Sequence, residues 1–84
     1  MDEKKEKTYT IIVNLEEKKE TRETLTFENV LDIAFPPPRT IPDNEYSITF
    51  KDAKSEPHSG QLRIGGTVEI KNGTQFDVTP TNKS

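Results

Sequence analysis

The stretch TLTFENVLDIAFPPP, residues 24–38, decides how the chain reads, because it holds the start, body and stop of one short helix. Phe27, Val30, Leu31, Ala34 and Phe35 recur at the i, i+3, i+4, i+7, i+8 spacing, which lays them along a single apolar stripe. Thr24 and Thr26 both offer an N-cap hydroxyl. Pro36, Pro37 and Pro38 each lack an N–H and push the preceding residue toward extended backbone, so the helix is predicted to stop near Phe35. An isolated helix of about ten residues is marginal in water and needs a surface to pack on. The flanking sequence is read as strands that supply one.

On the N-terminal side, Tyr9, Ile11, Val13 and Leu15 alternate with Thr8, Thr10, Ile12 and Asn14, a period of two rich in β-branched types. Residues 16–20, EEKKE, carry only charge, and Thr21, Glu23 and Leu25 then alternate with Arg22 and Thr24. The two runs are predicted to form a hairpin with a long loop, since no Gly or Asn-Gly marks a two-residue primed turn. On the C-terminal side, PPPRTIPDN at residues 36–44 reads as an extended crossover. Tyr46, Ile48 and Phe50 then present one large apolar face of a strand expected deep in the sheet. A polar loop over residues 52–60 leads to a short strand with Leu62 and Ile64, then Gly65-Gly66 as a bend, then Val68 and Ile70. Asn72-Gly73 is a strong hairpin signal, Phe76 and Val78 alternate on a closing strand, and Pro80 is expected to end pairing before a free polar tail, residues 81–84.

A hairpin, a helix, a crossover and further strands make an α+β chain that must cover one face of its sheet with a single helix. That order fits a β-grasp, with a mixed sheet of four to five strands. The parallel pairing of first and last strands belongs to that fold and is not visible in the pattern. The organisation expected is a charged leader at residues 1–8, one domain at 9–79 and a C-terminal tail at 80–84.

Composition sets limits on function. Leu, Ile, Val and Phe number 19 of 84 residues, just above the roughly 20% below which disorder is expected, so the chain folds with little reserve. Without cysteine there is no disulfide, no thiol nucleophile and no zinc ribbon, and a cytoplasmic location is the expectation. No apolar run approaches the ~18 residues of a membrane span. The net charge is −3, and Lys4, Lys5, Lys18, Lys19 and Arg22 are interleaved with Glu, a mixed solvated surface that argues against nucleic-acid binding.

Candidate chemistry is sparse. His58, the only histidine, sits in a polar loop without the neighbours a metal site or a general base requires. Asp32, Asp43, Asp52 and Asp77 fall on different elements and read as surface acids. No Gly-rich loop joins a strand to a helix, so a phosphate cradle is missing. No cofactor, metal or enzymatic activity is expected. Pro36, Pro37 and Pro38 read as a helix stop and stiff crossover before an SH3 ligand, and Phe27, Phe35, Phe50 and Phe76 read as core. Ile12, out of phase with Ile11 and Val13, is a candidate partner-binding residue on the sheet face away from the helix.

With these residues in place, the chain resembles ubiquitin, and more closely the bacterial ubiquitin-like domains of multiubiquitin type. The resemblance runs from Tyr9 to Ser84, through Ile33-Ala34-Phe35-Pro36, Tyr46-Ser47-Ile48-Thr49-Phe50, Val68-Glu69-Ile70-Lys71-Asn72-Gly73 and Phe76-Asp77-Val78-Thr79. It implies a protein modifier activated at its C-terminal carboxylate by an E1-like enzyme, passed to an E2-like enzyme and then to target proteins. A JAB-type peptidase belongs to the same systems, several of which are linked to phage defence. Thr81, Asn82, Lys83 and Ser84 would form the conjugation tail. They depart from ubiquitin in lacking a terminal Gly-Gly, which leaves three readings: activation at Ser84, trimming to a new end, or no conjugation. A non-covalent β-grasp interaction module and a sulfur carrier share the fold, and an open sheet edge offers self-association.

Overall fold

In the computed structural model, which describes residues 7–81, the chain opens with an antiparallel hairpin. Strand β1 (Tyr9–Val13) pairs with β2 (Glu16–Glu20) in the register Ile11↔Lys18, Val13↔Glu16. The charged run EEKKE is therefore a strand, and the long loop expected from sequence is a two-residue turn of Asn14 and Leu15, with φ of 51° and 69°. Asn tolerates that left-handed region better than most residues, and the Oδ1 of Asn14 accepts the Val78 N–H at 2.8 Å, which holds the turn against the sheet. β2 lies at the sheet edge, where its charged side chains meet solvent and apolar alternation is not required. Leu15, expected on the apolar face of β1, is instead 88% exposed at the turn.

Strand β3 (Thr24–Thr26) runs into helix α1 (Phe27–Ala34). Thr26 is the N-cap: its Oγ1 accepts the Asn29 N–H at 3.1 Å, and Asn29 Oδ1 accepts the Thr26 N–H at 3.0 Å, a reciprocal capping box. Phe35 closes the helix where the prolines require it. Phe27, Val30 and Leu31 are buried, while Phe35 is half-buried with its ring 5.3 Å from that of Tyr46.

The remaining strands are β4 (Tyr46–Lys51), β5 (Gly60–Leu62), β6 (Thr67–Glu69) and β7 (Gln75–Pro80). Five of the seven form one mixed sheet in the order β2-β1-β7-β4-β5, with β7 parallel to β1 and antiparallel to β4. With α1 packed over it, this is the α+β architecture of a β-grasp. β4 is an interior strand, as its wholly apolar face requires.

Two pairings differ from the sequence reading. β3 does not join β1 but makes a separate two-stranded sheet with β6, in the register Leu25↔Val68. Asn72-Gly73 accordingly does not close a hairpin. Gly73 takes a positive φ of 96°, and the turn passes the chain from the small sheet to the large one. Thr10 fastens it, its N–H donating to Asn72 Oδ1 and its carbonyl accepting the Gly73 N–H, both at 2.8 Å. Beside it, the fully buried Thr74 hydroxyl donates to Asp52 O at 2.8 Å and accepts the Lys71 N–H at 3.0 Å. Ile64, expected in a strand with Leu62, falls beyond β5 in a turn closed by the Gly66 N–H on Arg63 O at 2.8 Å.

At the end of β2, Glu20 is a carboxylate only 8% exposed, and it accepts from the N–H groups of Thr21 and Arg22 and from the Arg22 guanidinium at 2.7 and 3.0 Å. The Arg22 guanidinium above all, with these backbone donors, holds the Glu20 carboxyl below its usual range against the opposing effect of burial. A carboxyl with a depressed pKa contributes stability that is present above the ordinary glutamate value of about 4.3 and is lost as pH falls through the folded value. Glu20→Gln is expected to cost ~1 kcal/mol at neutral pH, a figure kept low because solvent screens the half-exposed Arg22. Urea midpoints of the two proteins should differ at pH 7 and converge as pH falls through the lowered folded value of Glu20; a gap that persists in acid would assign the loss to packing.

Among the described residues, no helix is long and apolar enough to cross a membrane.

Candidate functional site

The candidate site is the place where the chain leaves β7. Alternate residues of a strand direct their N–H groups to opposite neighbours. The Val78 N–H points toward the β1 side, where it meets Asn14 Oδ1. Two residues on, the Pro80 nitrogen faces the same side but lies past the end of β1, so its missing N–H costs nothing. Pro80 therefore does not end pairing, contrary to expectation: it sits opposite Tyr46 within β7.

Pairing continues one residue further. The Thr81 N–H donates to Glu45 O at 2.7 Å and the Thr81 hydroxyl donates to the same carbonyl at 3.0 Å. Thr81 is thus an exposed but anchored residue, and a tail starts from a fixed point beside the first residues of β4. Asn82, Lys83 and Ser84, the rest of the expected conjugation tail, lie outside the described residues.

A groove of about 420 Å³ opens beside Thr81. Phe27, Tyr46, Leu62 and Ile64 give it an apolar lining, and Asn44, Ser47, Gln61 and Arg63 add polar groups. Ile64 is 53% exposed, one of two large hydrophobic side chains so exposed among the described residues. Sequence reading singled out neither the groove nor Arg63. The only available signal was an arginine and an isoleucine placed just before a Gly-Gly turn.

The other sequence candidates are dispersed. Ile12 is half-buried on the sheet face away from α1, between Glu17 on β2 and Gln75 on β7, with Lys51 beyond Gln75. Its cross-strand neighbours are thus polar, and Gln75 stands six residues before Thr81, roughly 20 Å along the strand. His58 Nδ1 lies 2.9 Å from Ala53 O, and Nε2 lies 3.5 Å from Glu56 within the same exposed loop. Asp32 and Asp43, read as unrelated surface acids, share one guanidinium: Arg39 Nη1 is 2.7 Å from Asp32 and Nη2 is 3.0 Å from Asp43. Gly65 has φ of 89° at the turn after β5, a conformation that glycine enters freely. Among the described residues, no group of three or more His, Asp or Glu side chains is placed to hold a metal ion.

The arrangement brings hydroxyl, amide and guanidinium groups together around an apolar lining. Its features are an anchored chain exit and an adjoining groove with a cation at its rim, which suit it to being recognised. Comparison with known families gives a match to the family described as Multiubiquitin, over residues 9–82. No curated protein and no solved structure matches the chain.

Proposed function

We propose, on the premise that this chain belongs to the multiubiquitin family, that it is a ubiquitin-like protein modifier and a substrate of conjugating enzymes rather than an enzyme itself. The observation that carries this reading is the anchor at Thr81. A modifier must present its tail from a defined point, and the two bonds from Thr81 to Glu45 O fix that point.

In the proposed reaction, the terminal carboxylate attacks the α-phosphorus of ATP on an E1-like enzyme and expels pyrophosphate. A cysteine thiolate of that enzyme then displaces AMP from the acyl adenylate, giving a thioester, which passes to an E2-like enzyme. An amine or hydroxyl of the target attacks the carbonyl, and the thiolate leaves. A JAB-type peptidase would hydrolyse the product. The setting proposed is a bacterial cytoplasm, in a system linked to phage defence.

The test is intact-mass analysis of the protein incubated with ATP and an E1-like enzyme encoded beside it, next to a variant lacking Ser84. An ATP-dependent covalent adduct that disappears on deletion is the expected result. An adduct that persists in the shortened protein would place activation at a different end, after trimming. No adduct with an enzyme shown to be active would favour a second reading, a non-covalent interaction module, which the open groove beside Thr81 supports. The module should tolerate a protein fused to its tail, whereas the modifier should not.

A further inference from the structure

We propose that the groove beside Thr81 is a docking site for an extended peptide segment of the enzyme that acts on the tail, and that this segment brings an acidic side chain to Arg63 and an apolar one to Ile64. The proposal rests on the modifier reading and adds the chemistry of the partner.

Charge complementarity identifies the occupant. The chain has three arginines. Arg22 sits on the Glu20 carboxylate at 2.7 Å, and Arg39 bridges Asp32 and Asp43 at 2.7 and 3.0 Å. Arg63 is exposed and, among the described residues, makes no ion pair. It is also the one charged residue lining the groove, with no carboxylate facing it across the walls. The groove's one formal charge is therefore positive, and an exposed guanidinium beside apolar walls favours an anionic partner group. Arginine suits that role, because its planar fork matches a carboxylate with two parallel hydrogen bonds.

The apolar half of the site is as specific. Ile64 and Leu15 are the two large aliphatic side chains left exposed among the described residues, and only Ile64 lines the groove. It stands next to Arg63, with Leu62, Tyr46 and Phe27 deeper in the walls. An aliphatic side chain seated there removes Ile64 from water and excludes water from the neighbouring ion pair, strengthening it. Thr81 ties the site to the tail, since it both lines the groove and is the residue from which the tail departs. A partner held in the groove therefore has its active site within reach of the tail.

The experiment is an NMR titration of the full ¹⁵N-labelled chain with an acetylated, amidated peptide of alternating Glu and Leu, and with its Lys-Leu counterpart. The Glu-Leu peptide is expected to shift the amides of Gln61, Leu62, Arg63, Ile64 and Thr81, and the Lys-Leu peptide is not. Arg63→Glu should weaken binding at least about tenfold, while Arg63→Lys keeps a measurable part of it. Lys19→Glu makes the same change in net charge on β2, at the opposite edge of the sheet from β5, and should leave binding unchanged. Equal binding by Arg63→Glu, or shifts confined to other surfaces, would overturn the proposal. Adduct formation with the E1-like enzyme separates this proposal from the reading it rests on. An adduct that forms equally fast in Arg63→Glu and in the unaltered protein overturns the groove and leaves the modifier standing. Arg63-dependent peptide binding without any adduct from an enzyme shown to be active supports the groove as an acidic-peptide site and overturns both the modifier and the assignment of the occupant to a tail-acting enzyme.

Discussion

Phe76→Ala is expected to lower stability by about 4 kcal/mol and to leave much of the protein unfolded at ambient temperature. Phe76 is 1% exposed in β7, the strand flanked by both β1 and β4, and its ring centroid lies 6.5 Å from that of Phe50. Because hydrogen-bonded ladders hold the backbone on both sides, the walls of the resulting cavity cannot close in, and the cost approaches the upper part of the range for Phe→Ala. A domain of this length has total stability of about 4–12 kcal/mol. With 29% apolar residues this chain belongs at the lower end. Urea unfolding followed by circular dichroism measures the effect. Phe76→Leu, which keeps most of the volume, should lose about 1–1.5 kcal/mol and retain a full transition, so the series stays readable if the alanine variant does not fold. A loss below ~1 kcal/mol for Phe76→Ala would mean that the sheet collapses into the space, contrary to the rigidity argued for β7.

Arg39→Ala should cost about 2 kcal/mol, through a different mechanism. The Arg39 side chain is only 12% exposed and joins three acceptors: Asp32 on α1 at 2.7 Å, the Phe35 carbonyl at 2.8 Å and Asp43 at 3.0 Å. The Phe35 carbonyl lies at the helix end, where no later turn supplies an N–H, and a cation there also meets the negative pole of the helix. The two carboxylates are 51% and 42% exposed and recover water when the arginine is removed, so their bonds are discounted accordingly. What is lost is the cap on α1 and the tie that holds the proline-rich crossover to the helix. Hydrogen exchange should therefore accelerate most in the last turn of α1, beyond what global destabilisation explains. Arg39→Lys should recover less than half of the loss, because an ammonium cannot reach three acceptors spread around a planar fork. Uniform acceleration across the domain would show that Arg39 acts only through overall stability.

The helix was legible because its evidence is local. The apolar stripe from Phe27 to Leu31, the cap at Thr26 and the prolines after Phe35 lie within a few residues of one another, and each acts through short-range sterics or hydrogen bonds. The alternation in Tyr46-Ser47-Ile48-Thr49-Phe50 and the burial of Phe76 and Val78 were readable for the same reason, since a period of two needs no knowledge of the neighbouring strand. The site was legible only in outline. In sequence Thr81 belongs to a polar tail, whereas in the fold it is anchored by a carbonyl 36 residues away, and nothing local marks Arg63 or the groove.

By itself, then, the sequence determined the class of this protein: one amphipathic helix, several alternating strands, and enough of the family's wording to reveal the resemblance. The tertiary structure alone decided which strands pair and where the chain exits. EEKKE forms a strand because β1 offers it a ladder at the sheet edge, β3 pairs with β6 and not β1, and Asn72-Gly73 switches sheets instead of closing a hairpin. Strand partners are chosen by contacts distant in sequence, which become favourable only after the chain has met the entropy cost of closing long loops, and local periodicity carries no record of that competition.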